Sequence, residues 1–199
     1  MIGRRIGDVF KVLHAGVVRG LALTRLNPNI LTFIGFSINA AAAYLFAGGH
    51  FFEAGLTVIL AGVFDLTDGP VARVTNRVTT FGGFFDSVMD RYSDMIIYTG
   101  LLVYYARIGS VLYVVVTAAV IIGSVMTSYT RTRAEALLPS CKVGFLERPE
   151  RIVLIIIGSL ANRMAAVLWV MAVFSNITVI HRCFYTWQES RKLSSMQTS

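Results

Sequence analysis

Long apolar blocks recur through this 199-residue chain, and they constrain its fold more than any other feature. A helix that crosses a hydrocarbon core of about 30 Å needs roughly 20 predominantly apolar residues. Six segments approach that requirement, near residues 30–47, 54–72, 83–106, 110–130, 151–161 and 164–182. The fifth is short and is expected to extend backwards through Pro149 or to tilt little. Composition agrees, with 55% hydrophobic residues, 15% charged residues and a mean hydropathy of +0.67. A soluble domain carries about 25% charged residues, so a disordered chain and an ordinary cytosolic globule are both excluded. The expected fold class is an all-α integral membrane protein with six transmembrane helices. Residues 28–185 would form that bundle, residues 1–27 an N-terminal amphipathic juxtamembrane helix and residues 186–199 a cytoplasmic tail.

A net charge of +7 raises nucleic acid as a partner, but the placement of the charges excludes it. With both termini in the cytoplasm, the outer loops are 48–53, 107–109 and 161–163, and they hold only Arg107 and Arg163 of the 18 Lys and Arg residues. That asymmetry follows the positive-inside rule and sets the orientation in a cytoplasmic membrane. Residues 1–29 have no uninterrupted apolar core before a small-residue cleavage site, so no cleavable signal peptide is expected. Ile2, Ile6, Phe10, Leu13 and Val17 instead share one face, with Arg4, Arg5, Asp8 and Lys11 around it, as in a helix lying on the inner leaflet. Cys141 and Cys183 both fall on the cytoplasmic side, where thiols stay reduced and no disulfide is expected. The three histidines, His14, His50 and His181, are isolated and read as interfacial.

Five of the six aspartates lie between Asp65 and Asp94, within or at the ends of membrane-spanning segments. Acids at that depth are costly and mark functional sites by default. Asp65 and Asp68 are three residues apart and share a helix face; Asp86, Asp90 and Asp94 form a second stripe at intervals of four. The polar turn from Arg73 to Gly83 brings the two stripes back antiparallel, so that two carboxylate-bearing helix ends face each other. Oxygen-only donors select hard cations such as Mg²⁺ or Mn²⁺, and four carboxylates suffice for a two-metal site. Spacing alone leaves metal catalysis, ion pairing with Arg73, Arg77 or Arg91, and a cation transport pathway open. Gly69, which lets a ligand approach the backbone, and the phosphate-matching fork of Arg73 favour catalysis. Gly82 and Gly83 suit close helix packing.

Residues 65–90 read Asp-Leu-Thr-Asp-Gly-Pro-Val-Ala-Arg, then eight residues, then Gly82-Gly-Phe-Phe-Asp86-Ser-Val-Met-Asp90. The pattern resembles the D-x2-D-G-x2-A-R-x8-G-x3-D-x3-D signature of the CDP-alcohol phosphotransferase family, with all eight positions and every spacing intact. The resemblance implies six transmembrane helices, a juxtamembrane helix and a site at the cytoplasmic end. It also implies two divalent ions, Mg²⁺ or Mn²⁺, held by Asp65, Asp68, Asp86 and Asp90 on the diphosphate of a CDP-linked lipid donor. Asp90 would further act as general base on the acceptor hydroxyl. Asn29, Thr32, Asp68, Gly69, Arg73 and Thr79 would line the donor pocket; Asn29 has a competing reading as a helix N-cap. Asp94 lies outside the signature and is left out of the site. The family is generally dimeric, so a homodimer is expected, and the stretch Ala40–Ala43 offers small residues for packing.

Acceptor choice rests on the runs Ser128-Tyr-Thr-Arg131-Thr-Arg133-Ala-Glu135 and Gly144-Phe-Leu-Glu147-Arg148-Pro149-Glu150-Arg151. Lys142 and Glu147 read as ordinary charges of a solvated loop. Arg131, Arg133, Arg151 and Arg182 lie at three helix ends, and a cationic cup beside a metal site suits a phosphorylated acceptor. The two runs resemble those of one branch of the family, the phosphatidylinositol phosphate and archaetidylinositol phosphate synthases. That resemblance places Arg131, Arg133, Pro149, Arg151 and Arg182 around inositol phosphate. Arg131 stands where lysine is often found in that branch, which keeps the charge and changes the hydrogen-bond geometry. Glycerol 3-phosphate is the alternative phosphorylated acceptor, and a divalent-cation transporter is the alternative of another class.

Overall fold

The computed structural model describes residues 16, 18–20 and 26–197, so the helix expected over 1–27 lies almost wholly outside the described residues. From Pro28 onward the described chain is helical: α1 (Pro28–Gly48), α2 (Phe51–Asp65), α3 (Asp68–Val74), α4 (Thr80–Arg107), α5 (Val111–Glu135), α6 (Arg148–Leu160) and α7 (Met164–Gln197). Local chemistry sets the boundaries. Asn27 caps α1, its side-chain oxygen accepting from the Asn29 N–H at 3.0 Å, and Pro28 occupies the first turn, where no N–H is needed. Gly49 ends α1 at φ 83°, a left-handed conformation that favours glycine. Thr79 caps α4 by accepting from the Gly82 N–H at 2.9 Å.

Four stretches are long and apolar enough to cross a membrane: 28–48, 51–74, 111–135 and 164–192. Two of the six expected spans do not meet that standard, for different reasons. The 28-residue α4 carries Asp86, Asp90, Arg91 and Asp94 in its first half. The 13-residue α6 is roughly 20 Å long at 1.5 Å per residue, although it does extend backwards through Pro149. The expected single helix over 54–72 is broken at Leu66–Thr67. Helix α5 runs to Glu135, five residues past the expected span, and carries Arg131 and Arg133 in its last turns, at the helix end where the sequence placed them. Helix α7 passes residue 185 without interruption, so the expected tail continues the last helix to Gln197.

Helix α1 packs chiefly on α4 and α2, α5 on α7 and α4, and α6 on α2 and α7. Buried Phe46, Val58, Ile97, Leu101, Ile155 and Leu168 link these elements into one core. Large apolar side chains such as Phe33, Leu60, Val115, Ile122 and Ile180 remain exposed on the outside, as a lipid-facing surface requires. Small residues set the closest approach: Gly100 of α4 lies against the Ala43 backbone of α1, where a Cβ would overlap it. The alanine stretch considered for a dimer contact is therefore partly spent inside the molecule, with Ala42 and Ala43 buried.

This contact makes a direct test. Gly100→Ala should cost about 1–3 kcal/mol by overpacking and lower the unfolding midpoint in detergent by several degrees. Gly62→Ala, whose added methyl meets nothing within 4 Å, should leave it nearly unchanged. Equal midpoints for the two variants would contradict the packing.

Candidate active site

The break between α2 and α3 begins the site. Pro70 has no N–H to offer the Leu66 carbonyl and so interrupts the helix there, while the Thr67 hydroxyl donates to the carbonyls of Val63 and Phe64 at 2.9 and 3.0 Å. Asp65 thus ends one helix and Asp68 begins the next. Asp68 is 6% exposed and fully oriented: Thr32 Oγ1 donates to one carboxylate oxygen at 2.7 Å, and the Gly69 N–H to the other at 2.6 Å. Asp86, Asp90 and Asp94 follow along one face of α4, and the charges of Asp65, Asp68, Asp86 and Asp90 repel one another.

Arginines from α6 answer that repulsion. Arg148 reaches Asp65 at 2.7 Å, Asp90 at 2.9 Å and Asp94 at 3.4 Å, so one guanidinium bridges α2 and α4. Arg151 pairs with Asp94 at 2.7 Å, and both side chains are almost completely buried. Ser124 Oγ donates to the same Asp94 oxygen at 3.3 Å. Among the described residues, no three acids stand close enough to hold one ion as the side chains are placed. The Arg148 guanidinium lies among three of them. By donor chemistry the residues nevertheless fit a hard divalent cation: carboxylate oxygens without imidazole or sulfur, crowded where their repulsion calls for positive charge.

Two cavities flank this row of acids. One, of about 300 Å³, is lined by Asn29, Thr32, Asp68, Gly69, Arg73, Thr79, Gly82, Gly83 and Asp86. All six residues assigned from the sequence to the donor pocket line it. Asn29 is not the cap of α1, a role that Asn27 fills; its side chain lies against Gly82 instead. Gly83 meets no neighbouring helix within 4 Å, so it opens the cavity and does not pack helices. The other cavity, of about 200 Å³, is lined by Asp90, Asp94, Arg131, Glu147, Arg148, Pro149, Arg151 and Arg182. Arg133 is exposed and does not line it.

The loop before α6 is not the freely solvated segment suggested by its charges. Arg182, 1% exposed, donates to the carbonyls of Val143 at 2.8 Å and Thr127 at 2.6 Å and to Glu147 at 3.0 Å. Gly144 adopts φ 137° beside it, where a Cβ would come within 2.6 Å of the Thr178 methyl. Glu147 therefore belongs to the second cavity, and its Oε1 also accepts from Arg131 at 2.9 Å. Lys142 is exposed, as expected.

The family model of CDP-alcohol phosphatidyltransferase matches residues 25–187. The chain belongs to this family. Among curated relatives, the archaetidylinositol phosphate synthase of Pyrococcus horikoshii is 39% identical over 165 residues, covering 82% of this chain and 85% of the relative. The phosphatidylinositol phosphate synthase of Mycobacteroides abscessus is 32% identical over 192 residues, covering 92% and 87%. Among solved structures, the phosphatidylinositol phosphate synthase of Mycobacterium tuberculosis with CDP-DAG bound matches with a TM-score of 0.81 and 31% identity, over 87% of this chain and 93% of that one. Its complex with manganese and citrate matches with a TM-score of 0.78 and 30% identity, over 87% and 88%. As a CDP-alcohol phosphatidyltransferase, the chain is a multi-pass membrane protein and a metal-dependent transferase.

Asp94, Glu147 and Arg148 line the second cavity of this CDP-alcohol phosphatidyltransferase without being among the expected site residues. Asp94 carried a usable signal, since it continues the i+4 stripe of Asp86 and Asp90. The buried Asp94–Arg151 pair predicts a measurable coupling. Asp94→Ala should destabilise the protein by about 3–5 kcal/mol because it strands a buried charge, whereas Asp94→Ala with Arg151→Met should recover much of the loss. Thermal unfolding of both variants checks this; a double variant no more stable than the single one would deny the pairing its structural part.

Proposed function

We propose that this chain transfers the phosphatidyl group of a CDP-diacylglycerol-type lipid to inositol 1-phosphate, giving phosphatidylinositol phosphate and CMP. The observation that carries the reading is the row Asp68–Asp86–Asp90 standing between two cavities of different character. One offers Arg73, Thr79, Asn29 and the bare backbone at Gly69 to a nucleotide diphosphate. The other offers arginines to an acceptor that brings its own phosphate. The relatives named for inositol-phosphate lipids, and the neighbour holding CDP-DAG, support the same pair of substrates.

The reaction is a single displacement. The acceptor oxygen attacks the lipid-side phosphorus, the bond from that phosphorus to the CMP oxygen breaks, and the hydroxyl proton passes to the Asp90 carboxylate. Two divalent ions, Mg²⁺ or Mn²⁺, held by Asp65, Asp68, Asp86 and Asp90, would neutralise the diphosphate and polarise the phosphorus. The chain's own residues do the positioning. Thr32 and the Gly69 N–H hold Asp68 in one rotamer. Arg131 and Pro149 face the acceptor, while the guanidinium bonds of Arg151 and Arg182 to Asp94, Thr127, Val143 and Glu147 fix that cavity's walls. Six spans with both termini and the site at the cytoplasmic face of the cell membrane, and a homodimer, complete the proposed arrangement. The acid-bearing α4 and the short α6 serve as its third and fifth spans.

Purified protein with labelled CDP-diacylglycerol and Mg²⁺ or Mn²⁺ should release CMP only when inositol 1-phosphate is added, with glycerol 3-phosphate far less effective. Preference for glycerol 3-phosphate would move the product to phosphatidylglycerophosphate; no CMP with any acceptor would refute the transferase reading. Asp90→Asn should abolish turnover and leave CDP-lipid binding largely intact. In the acceptor cavity, Arg131→Ala should raise the acceptor KM roughly 10- to 100-fold, the loss of one charge-assisted hydrogen bond to phosphate. Arg133→Ala should leave both KM values near those of the parent, and a large acceptor effect there would overturn the placement of the cavity.

A further inference from the structure

Adjacent residues at the start of α6 carry opposite charges into opposite halves of the site. Glu147 sends its carboxylate between Arg131 and Arg182, both bonded to the same oxygen at 2.9 and 3.0 Å. Arg148 sends its guanidinium among Asp65, Asp90 and Asp94. An acid thus sits among the arginines and an arginine among the acids.

We infer that Glu147 and Arg148 are resident surrogates for the two charges the reaction brings in, an anion at the arginine cavity and a divalent cation at the aspartates. The pair thereby makes binding of metal and of phosphate mutually dependent. This rests on the proposed reaction for the identity of both ligands. The chemistry matches on each side. A carboxylate bridging two guanidiniums makes the same kind of charge-assisted contact as a phosphate oxygen, with one charge instead of two. A guanidinium spanning three carboxylates meets the same repulsion that a divalent cation would, with half the charge. Each surrogate is weaker than the ligand it resembles, so each can be displaced. Neither is replaceable by a neutral polyol, which brings no charge to release Arg131 or Arg182 from Glu147.

The coupling follows from the covalent link. The two residues share a peptide bond at the first turn of α6, where Glu147 is the N-cap and Pro149 restricts the backbone. A cation that displaces Arg148 from Asp65 and Asp90 frees its guanidinium for the neighbouring cavity, which it already lines. A phosphate that displaces Glu147 loosens the same turn and releases Arg148. Each ligand must therefore favour the other, and linkage requires the effect to be reciprocal.

The test uses full-length protein in detergent, Mn²⁺ binding read by electron paramagnetic resonance and inorganic phosphate binding read by calorimetry, without CDP-lipid. Removing the internal competitor removes the population penalty on binding. Arg148→Gln should then bind Mn²⁺ about three- to tenfold more tightly, and Glu147→Gln should bind phosphate more tightly by a similar factor. Saturating phosphate should tighten Mn²⁺ in the parent protein, and this enhancement should shrink in the variant carrying both changes to what direct metal–phosphate contact supplies. Arg148→Gln with Mn²⁺ affinity equal to or weaker than the parent's would overturn the proposal, as would an undiminished enhancement in the double variant. Should Arg148→Gln fail to fold, Arg148→Lys, which keeps one charge and loses the fork, should show a smaller tightening, and none would count against the proposal. Failure of the transferase reading is separable. A protein that binds both ions as described and releases no CMP refutes the reaction alone, and one that turns over with unchanged Mn²⁺ affinity in Arg148→Gln refutes the surrogate pair alone.

Discussion

Five carboxylates gathered in an apolar bundle must be compensated, and the rest of the molecule is arranged around that requirement. Arg148 meets most of it by bridging the end of α2 to the middle of α4 through Asp65, Asp90 and Asp94. Arg151 completes it through Asp94, buried with it. Without these contacts, two helices bearing like charge would face each other in a low-dielectric interior, where repulsion is strongest. The short α6 is thus an electrostatic element as much as a packing one. Its first turn adds positive charge to that of Arg73 and Arg91 on the signature helices.

The same compensation divides the site. Arg148 and Arg151 hold the acids from one side, and on the opposite side Gly69 and Gly83, with Arg73, line the cavity proposed for the nucleotide. Bare backbone and small residues face the cavity that must admit a large donor. Long, doubly bonded arginines wall the cavity that admits a small, charged acceptor. Between them, Asp90 borders the acceptor cavity and Asp86 the donor cavity, one helical turn apart on the same face of α4. In the proposed reaction, a hydroxyl entering from one side would meet phosphorus presented from the other.

Much of this was legible in the sequence. Asp68, Gly69 and Arg73 of the signature line one cavity together with Asn29, Thr32 and Thr79 from outside it, because the signature's spacing is tied to helix periodicity on either side of one short turn. Helix existence followed from the apolar blocks. What was not legible depended on long-range partners. Arg148 is separated from Asp65 by 83 positions, and nothing local distinguishes it from Arg133, which ends exposed one helix earlier. Glu147 read as a surface charge because its partners come from α5 and α7. The break after Asp65 leaves the apolar run unbroken and is marked locally by Pro70, which has no N–H for the Leu66 carbonyl. The extension of α7 beyond residue 185 likewise has no apolar periodicity to announce it.

The central claim is that donor and acceptor approach one phosphorus from opposite sides of the aspartate row, so that the displacement is direct. The stereochemistry at that phosphorus tests it most directly. A CDP-lipid made chiral with sulfur and oxygen isotopes at the lipid-side phosphorus should give product with inverted configuration. Retention would mean two successive displacements through a group on the protein, and would contradict the two-cavity account.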